Sequence, residues 1–290
     1  MGCWKAIYIA GYLGDFIGAG LSRPNGFKGM KCIVEDLGLI DYKTAWKLQD
    51  SYAAEIAAGT RSPTLLLLEH PHVYTFGRRG QAENLLWNES ELKEKHIAIH
   101  WVDRGGDVTY HGPGQLVGYP LIPLSPIGVQ RRIIPERGPT LSLQSQETSE
   151  SVRLLQADYV GYVRKLEKTL IVALAHLGLV AGQRSGKTGV WIQADVWSRC
   201  PRCRPEDKQK PAKVAAIGVK VDARGVSRHG FALNVDPDMS YWDGIIACGL
   251  AGEPVAALSD LLDPVPEMAR VKKEIVSAFG DVFGFEAVTG

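Results

Sequence analysis

After Gly178 the apolar pattern of the chain changes period. Val190–Gln193, Lys213–Val221, Phe231–Val235 and Ile245–Cys248 are short apolar runs joined by tight or polar links, with no helical period between them. Consecutive strands without helical crossovers must pair antiparallel. Helices lie outside this block. Asp41 reads as an N-cap, and Tyr42, Ala45, Trp46, Gln49, Tyr52, Ala53 and Ile56 follow at helical spacing as far as Gly59. Asp158 opens a second helix, with Val160, Val163, Leu166, Leu170, Leu174 and Leu177 on one side and Gly178 at its end. Glu267–Phe279 forms a third, with Met268, Val271, Ile275 and Phe279 in line. Thr64–Glu69 is a fully apolar strand, and Val73–Phe76 is expected to continue the same sheet after Pro71. Ile97–Val102 and Leu116–Leu121 also read as strands. The sum is an α+β fold: a mixed, largely antiparallel sheet flanked by helices.

Two polar stretches interrupt this order. Residues 125–157 and 195–211 lack an apolar period and read as surface insertions. Residues 1–29 hold Lys5, Arg23 and Lys28 against one acid, Asp15. They read as an N-terminal extension, either a targeting segment or a poorly ordered tail. Met1-Gly2-Cys3 resembles a myristoylation start, but Ala6 stands where Ser or Thr is required. Residues 30–290 are then expected to form a single domain.

At 290 residues the chain can bury a core without disulfides, and its five cysteines, odd in number and irregularly spaced, argue for a reducing compartment. A net charge of +1 gives no basic field for nucleic acid, and no apolar run reaches a membrane span.

Four segments can carry chemistry. Arg104-Gly105-Gly106-Asp107-Val108-Thr109-Tyr110-His111-Gly112-Pro113-Gly114-Gln115 packs four glycines among donors, which lets backbone approach a carbonyl, phosphate or amide ligand. It reads equally as two glycine-supported turns between strands. Lys213-Val214-Ala215-Ala216-Ile217-Gly218 places a lysine before a small apolar run; a desolvated amine there would serve as a base, a solvated one only as a strand end. The third segment is Arg228-His229-Gly230-Phe231-Ala232-Leu233-Asn234, and the fourth is Ile245–Gly249. Cys248 is either a buried inert thiol or a nucleophile whose following amide polarises an acyl oxygen. An ordinary thiol, with pKa ~8.5, is only a few per cent thiolate at neutral pH. The nucleophile reading therefore requires a cationic neighbour, with Lys213, His111 and His229 the candidates. Two further patterns lead elsewhere. Gly182–Thr188 imitates a phosphate loop but has three residues between its glycines instead of four. Cys200-Pro201-Arg202-Cys203 has the spacing of half a zinc site without the other half, and reads as two surface cysteines in a loop.

Taken together, the four segments resemble the octanoyltransferases, or lipoyl(octanoyl) transferases, which share a fold with biotin- and lipoate-protein ligases. The resemblance spans about residues 31–265 and includes Tyr119-Pro120-Leu121 and Thr188-Gly189-Val190-Trp191. It implies acyl transfer through a cysteine thioester, with Cys248 as nucleophile and Lys213 as its partner. It implies substrate contacts at Arg104, Gly105, Gly106, Asp107, Val108, Thr109, Tyr110 and His111, at Ala216, Ile217 and Gly218, and at Gly230, Phe231 and Ala232. The expected donor is octanoyl-acyl carrier protein. The expected acceptors are lysines of the lipoyl domains of 2-oxoacid dehydrogenases and of the glycine cleavage H protein. No metal or cofactor is expected, because a thioester is already activated. Three departures stand out: Ala247 replaces the usual proline before the nucleophile, the two insertions are long, and the first 29 residues have no counterpart. Long loops and an extension imply a eukaryotic, mitochondrial protein, with a cytoplasmic one as the alternative. An ATP-dependent ligase on the same fold, or an inactive acyl- or lipoyl-domain-binding module, are the competing readings.

Overall fold

A computed structural model describes residues 27, 29–124, 158–247 and 252–289. The expected 125–157 insertion, most of the N-terminal extension and Cys248 lie outside these residues.

An eight-stranded sheet organises the chain, in the order β11-β1-β2-β6-β10-β9-β8-β7. Its strands are β1 (Lys31–Leu39), β2 (Thr64–Glu69), β6 (Gln115–Leu121), β7 (Gly182–Arg184), β8 (Lys187–Ile192), β9 (Ala212–Val221), β10 (Ser227–Asn234) and β11 (Glu286–Thr289). β1 pairs parallel with β2 and β11, and every other ladder of this sheet is antiparallel. The mixed, largely antiparallel fold therefore holds.

Both faces of the sheet are covered, which is why the four central residues of β2, Leu65 to Leu68, are all apolar. Leu65 and Leu67 pack against helices α3 (Tyr159–His176) and α5 (Met268–Phe283), whereas Leu66 and Leu68 pack against α1 (Tyr42–Ala58). This is the period-two alternation of a strand buried on both sides. The helix ends follow local chemistry. Asp41 accepts from the Thr44 amide at 3.0 Å, Asp158 from the Gly161 amide at 2.8 Å, and Gly59 closes α1 at φ 74°. Val160 departs from the expected apolar stripe: it is 68% exposed, and Tyr162 instead enters the core.

Three expectations are corrected. Val73–Phe76, strand β3, does not extend the main sheet. It centres a separate three-stranded sheet between β4 (Ala98–Trp101) and β5 (Val108–His111). β3 follows β2 after only three residues, and His70-Pro71-His72 turns the chain out of the first sheet's plane. Ile245-Ile246-Ala247 is not a strand: Ile245 makes a single bridge to Leu85 after a 3-10 turn over Met239–Gly244. Cys200 is buried at 5% exposure, so the pair at 200 and 203 is not a surface pair. Helix α2 (Glu89–Glu94) covers the small sheet, and α4 (Ala194–Trp197) begins the 195–211 stretch and buries Trp197. No described helix is long and apolar enough to cross a membrane.

Candidate active site

The small sheet leans over the middle of the large one, and a cleft remains where they meet. Its walls come from Tyr42 on α1, Val117 and Tyr119 on β6, Ala216, Ile217 and Gly218 on β9, and His229 to Ala232 on β10, closed by Arg104, Gly106, Thr109 and His111. Glycine makes this approach possible. Gly230 is opposite Gly218 in the β9–β10 ladder, and a side chain on it would run into the Gly118 carbonyl of β6 on its other side.

Polar groups in the walls are pre-set by their own partners. Arg104 is 7% exposed; its guanidinium donates to the Thr75 carbonyl at 2.6 Å, to Thr75 Oγ1 at 2.9 Å and to the Gly105 carbonyl at 3.0 Å. His111 Nδ1 lies 2.7 Å from Gln115 Oε1, so that nitrogen carries the proton and donates, leaving Nε2 as the acceptor toward Thr75 Oγ1 at 3.4 Å. Gln115 Nε2 then donates to Asn234 Oδ1 at 2.9 Å, and Asn234 Nδ2 to the Ala256 carbonyl at 3.0 Å. His70 Nδ1 donates to the Ile40 carbonyl at 2.8 Å, and its Nε2 accepts from the Tyr119 hydroxyl at 2.8 Å.

Burial holds these histidines neutral. It brings His70 down to about 4 and pushes His111 well below its ordinary value, the latter aided by the nearby His70. His229 is lowered too: burial outweighs the hydrogen bond from its Nε2 to Asp103 Oδ1 at 2.8 Å. Asp103 is the hub of this corner. Burial would raise its carboxyl, but hydrogen bonds from His229 and Lys220 hold it at about 2. Arg228 also donates to it, at 2.6 Å, and pairs with Asp50. Of the three candidate cations for Cys248, the two histidines are thus uncharged at neutral pH.

Lys213 stands on β9, three residues before Ala216. Its Nζ lies 4.8 Å from the centroid of the Trp191 ring, within cation–π range. Gly189 makes room for the lysine stem: at φ 120°, it leaves the Lys213 Cδ and Cε beside a position where a Cβ would crowd the Ala215 carbonyl. The Lys213 backbone is bonded on both sides, its amide to the Pro254 carbonyl at 2.9 Å and its carbonyl to the Ala256 amide at 2.9 Å. Glu253 is paired with Arg184 and Lys187, so the phosphate-loop imitation is a β-hairpin that anchors the chain just beyond residue 251. On the other side, the Ile246 amide bonds the Asn84 carbonyl at 2.8 Å. Both arms flanking Cys248 are therefore tied down, although Cys248 itself is outside the described residues.

Not every residue of the glycine-rich segment faces the cleft. Asp107 accepts from the Val108 and Gln81 amides and from Asn84 Nδ2, which ties the segment to residues 81–84. Val108 and Tyr110 pack into the small sheet's core with Tyr74, Phe76 and Ile245. Gly105 sits behind the wall, its amide on the Val219 carbonyl at 3.0 Å. Tyr42, His70, Thr75 and Asp103 carry no functional signal in the sequence beyond Asp103's place directly before Arg104, whereas Tyr119 stands in the Tyr119-Pro120-Leu121 part of the family resemblance. Among the described residues no cluster of His, Cys, Asp or Glu could hold a metal.

Residues 41–134 and 149–280 match the family model of the lipoyl protein ligase A/B catalytic domain. The chain is similar to octanoyltransferases of Chloroflexus aurantiacus (38% identical, covering 87% of this chain and 94% of that protein) and Solibacter usitatus (38%, 89% and 96%). In fold it is similar to a bipartite lipoate protein ligase of Thermoplasma acidophilum (TM-score 0.59, 15% identical, 91% of this chain and 87% of that one) and to a lipoate-protein ligase A bound with ATP (0.56, 14%, 91% and 89%). The octanoyltransferase relatives are bacterial, which overturns the mitochondrial assignment; the cytoplasmic alternative fits them. Loop length misled that inference, because surface insertions cost little free energy and vary freely.

Proposed function

Since the chain belongs to the lipoyl protein ligase A/B catalytic-domain family and is an acyltransferase moving octanoyl or lipoyl groups, we propose that it draws octanoyl from acyl carrier protein onto Cys248 and passes it to a lysine of a lipoyl domain. The proposed catalytic unit runs from residue 30 to 290. The acceptors are the lipoyl domains of 2-oxoacid dehydrogenases and the glycine cleavage H protein.

Cys248 attacks the carrier's thioester carbonyl, the carrier thiol leaves, and the octanoyl group remains as an enzyme thioester. Lys213 supplies the positive charge that favours the thiolate. The acyl tail lies along Val117, Ala216, Ile217, Phe231 and Ala232, each buried methylene contributing roughly 0.8 kcal/mol. Arg104, Gly106, Thr109 and His111 shape the polar end, while Gly105, Asp107, Val108 and Tyr110 hold that wall in place. The observation that best supports this reading is the convergence of three separate sequence segments, 104–111, 216–218 and 230–232, on one cleft, with Lys213 on the same strand as the second.

Intact-mass measurement after mixing with octanoyl-acyl carrier protein should show one octanoyl adduct, lost in Cys248→Ala. Lys213→Ala should move Cys248 alkylation to higher pH. An adduct on another residue would sink the cysteine assignment, and an unchanged alkylation profile would remove Lys213 from its role. Full activity of Cys248→Ala with ATP would favour a ligase instead.

A further inference from the structure

Cysteines outside a catalytic centre serve packing, metal binding or exchange chemistry. Cys32 serves packing: it is fully buried on β1, and burial pushes its thiol up to about 12. Cys200 and Cys203 are placed differently. Trp197 anchors α4 in the core, and the chain leaving that helix turns soon after, the Cys203 amide donating to the Cys200 carbonyl at 3.0 Å. Pro201 occupies the second position of this turn, where its fixed φ is already the one required. A β-turn holds its first and fourth Cα atoms within about 7 Å, and a disulfide needs them roughly 4.4–6.8 Å apart. The backbone is therefore set near bridging distance before any bond forms.

The two sulfurs differ. Cys200 is 5% exposed and belongs to the main core, and its Sγ accepts from the Arg202 amide at 3.3 Å, which keeps it over the turn. Cys203 is half-buried, and its thiol donates to the Arg204 carbonyl at 3.6 Å, a weak contact that rotation of the side chain breaks. Burial raises the Cys200 thiol and Asp260 adds to this, while the Arg202 and Cys203 amides and the Arg202 guanidinium oppose them. The turn is also held from outside. Arg202, between the two cysteines, makes a two-pronged ion pair with Asp260, which in turn accepts from the Ala257 amide at 2.7 Å. Among the described residues no third His, Cys, Asp or Glu joins the pair to complete a metal site.

We propose that Cys200 and Cys203 form a reversible dithiol–disulfide site oxidised by small-molecule disulfides, with Cys203 the entry thiol and Cys200 the resolving one. Cys203, as its thiolate, attacks one sulfur of the incoming disulfide. That molecule's S–S bond breaks, and one half leaves and takes up the proton Cys203 gave up. Cys200 then attacks Cys203 Sγ in the mixed disulfide. The second half departs as a thiolate and takes the Cys200 proton. Two protein thiols are oxidised, and one small disulfide is reduced to two thiols. Excess small thiol runs both steps backwards, so in a reducing compartment the resting form is the dithiol. The site stands apart from the acyl-transfer cleft and does not depend on the cysteine-thioester reading.

The test uses the full-length protein, reduced, freed of reductant and incubated with glutathione disulfide. After blocking with N-ethylmaleimide, a protease that cuts after lysine releases residues 188–208, which contain these two cysteines and no other. By mass spectrometry that fragment should carry neither maleimide nor glutathione and weigh two hydrogens less than the dithiol. Excess reduced glutathione should reopen it. Cys200→Ser should instead keep glutathione on Cys203, because the resolving thiol is gone. In Cys203→Ser, Cys200 should take up glutathione at least about tenfold more slowly than Cys203 does in Cys200→Ser, as its burial requires. Three results would overturn the proposal: glutathione persisting on Cys203 in the unmutated protein, fragment 188–208 joined mainly to another cysteine, or Cys200 reacting as fast as Cys203. The unmutated protein alone decides the pairing, even where a variant fails to fold.

Discussion

Strand β5 shows two faces with opposite duties. Val108 and Tyr110 turn into an aromatic core with Tyr74, Phe76 and Ile245, whereas Thr109 and His111 turn into the cleft. The residues alternate one by one, as the period of a strand demands. A contiguous sequence signature is therefore half site and half support, and the two halves should fail differently. Support residues act through packing, so their loss lowers stability. Site residues already stand among satisfied neighbours, so their loss falls on turnover.

Tyr110→Ala tests the support face most severely. It removes a fully buried ring stacked at 5.4 Å on Tyr241, and should lower unfolding free energy by about 3–5 kcal/mol in urea titration. A loss under 1 kcal/mol would erase the distinction between the faces. Acid tests the site face. Folding keeps His70 neutral down to about 4 against an ordinary value of 6.5. The unfolded chain thus binds its proton first: the stability contributed is whole above pH 6.5 and declines as pH falls toward 4. About 2–3 kcal/mol should disappear over that window, with His111 and His229 acting in the same direction. Denaturation at pH 7 and pH 5 measures it, and a flat profile would contradict neutral burial. Thr109→Val gives the smallest effect. It should lower kcat/KM for the acyl donor roughly five- to tenfold, the worth of one hydrogen bond, with stability changed by less than ~1 kcal/mol. A larger change in stability than in turnover would place Thr109 with the support.

Local signals were legible. Asp41, Gly59 and Asp158 mark helix ends because capping depends on neighbours within a few residues. β5 itself was hidden, since Gly105, Gly106, Gly112 and Gly114 flank four residues with turn-like chemistry. β11 was missed for its shortness, and the Ile245 run looked like a strand only because it is apolar. For the site, resemblance to a family pointed to 104–111, 216–218 and 230–232, and residues from each of these segments line one cleft, although Gly105, Asp107, Val108 and Tyr110 do not. The contacts that tune that cleft were not legible. Asp103 meets His229 across 126 residues and His70 meets Tyr119 across 49, and no local pattern encodes such pairs. Arg184 and Lys187 looked like a nucleotide motif because their real partner, Glu253, lies more than sixty residues downstream.

The register of β1 and β11 has a consequence for biosynthesis. Lys31 lies opposite Glu286, about 255 residues later. At 5–20 residues per second, the ribosome needs roughly 13–50 s to deliver the second partner after the first. Throughout that interval the outer edge of β1 presents open amides and carbonyls to whatever nascent chain lies nearby. Neighbouring ribosomes on one message hold identical copies in the same unfinished state, so slow translation of the last helix should favour co-translational clumping over loss of the cleft's chemistry.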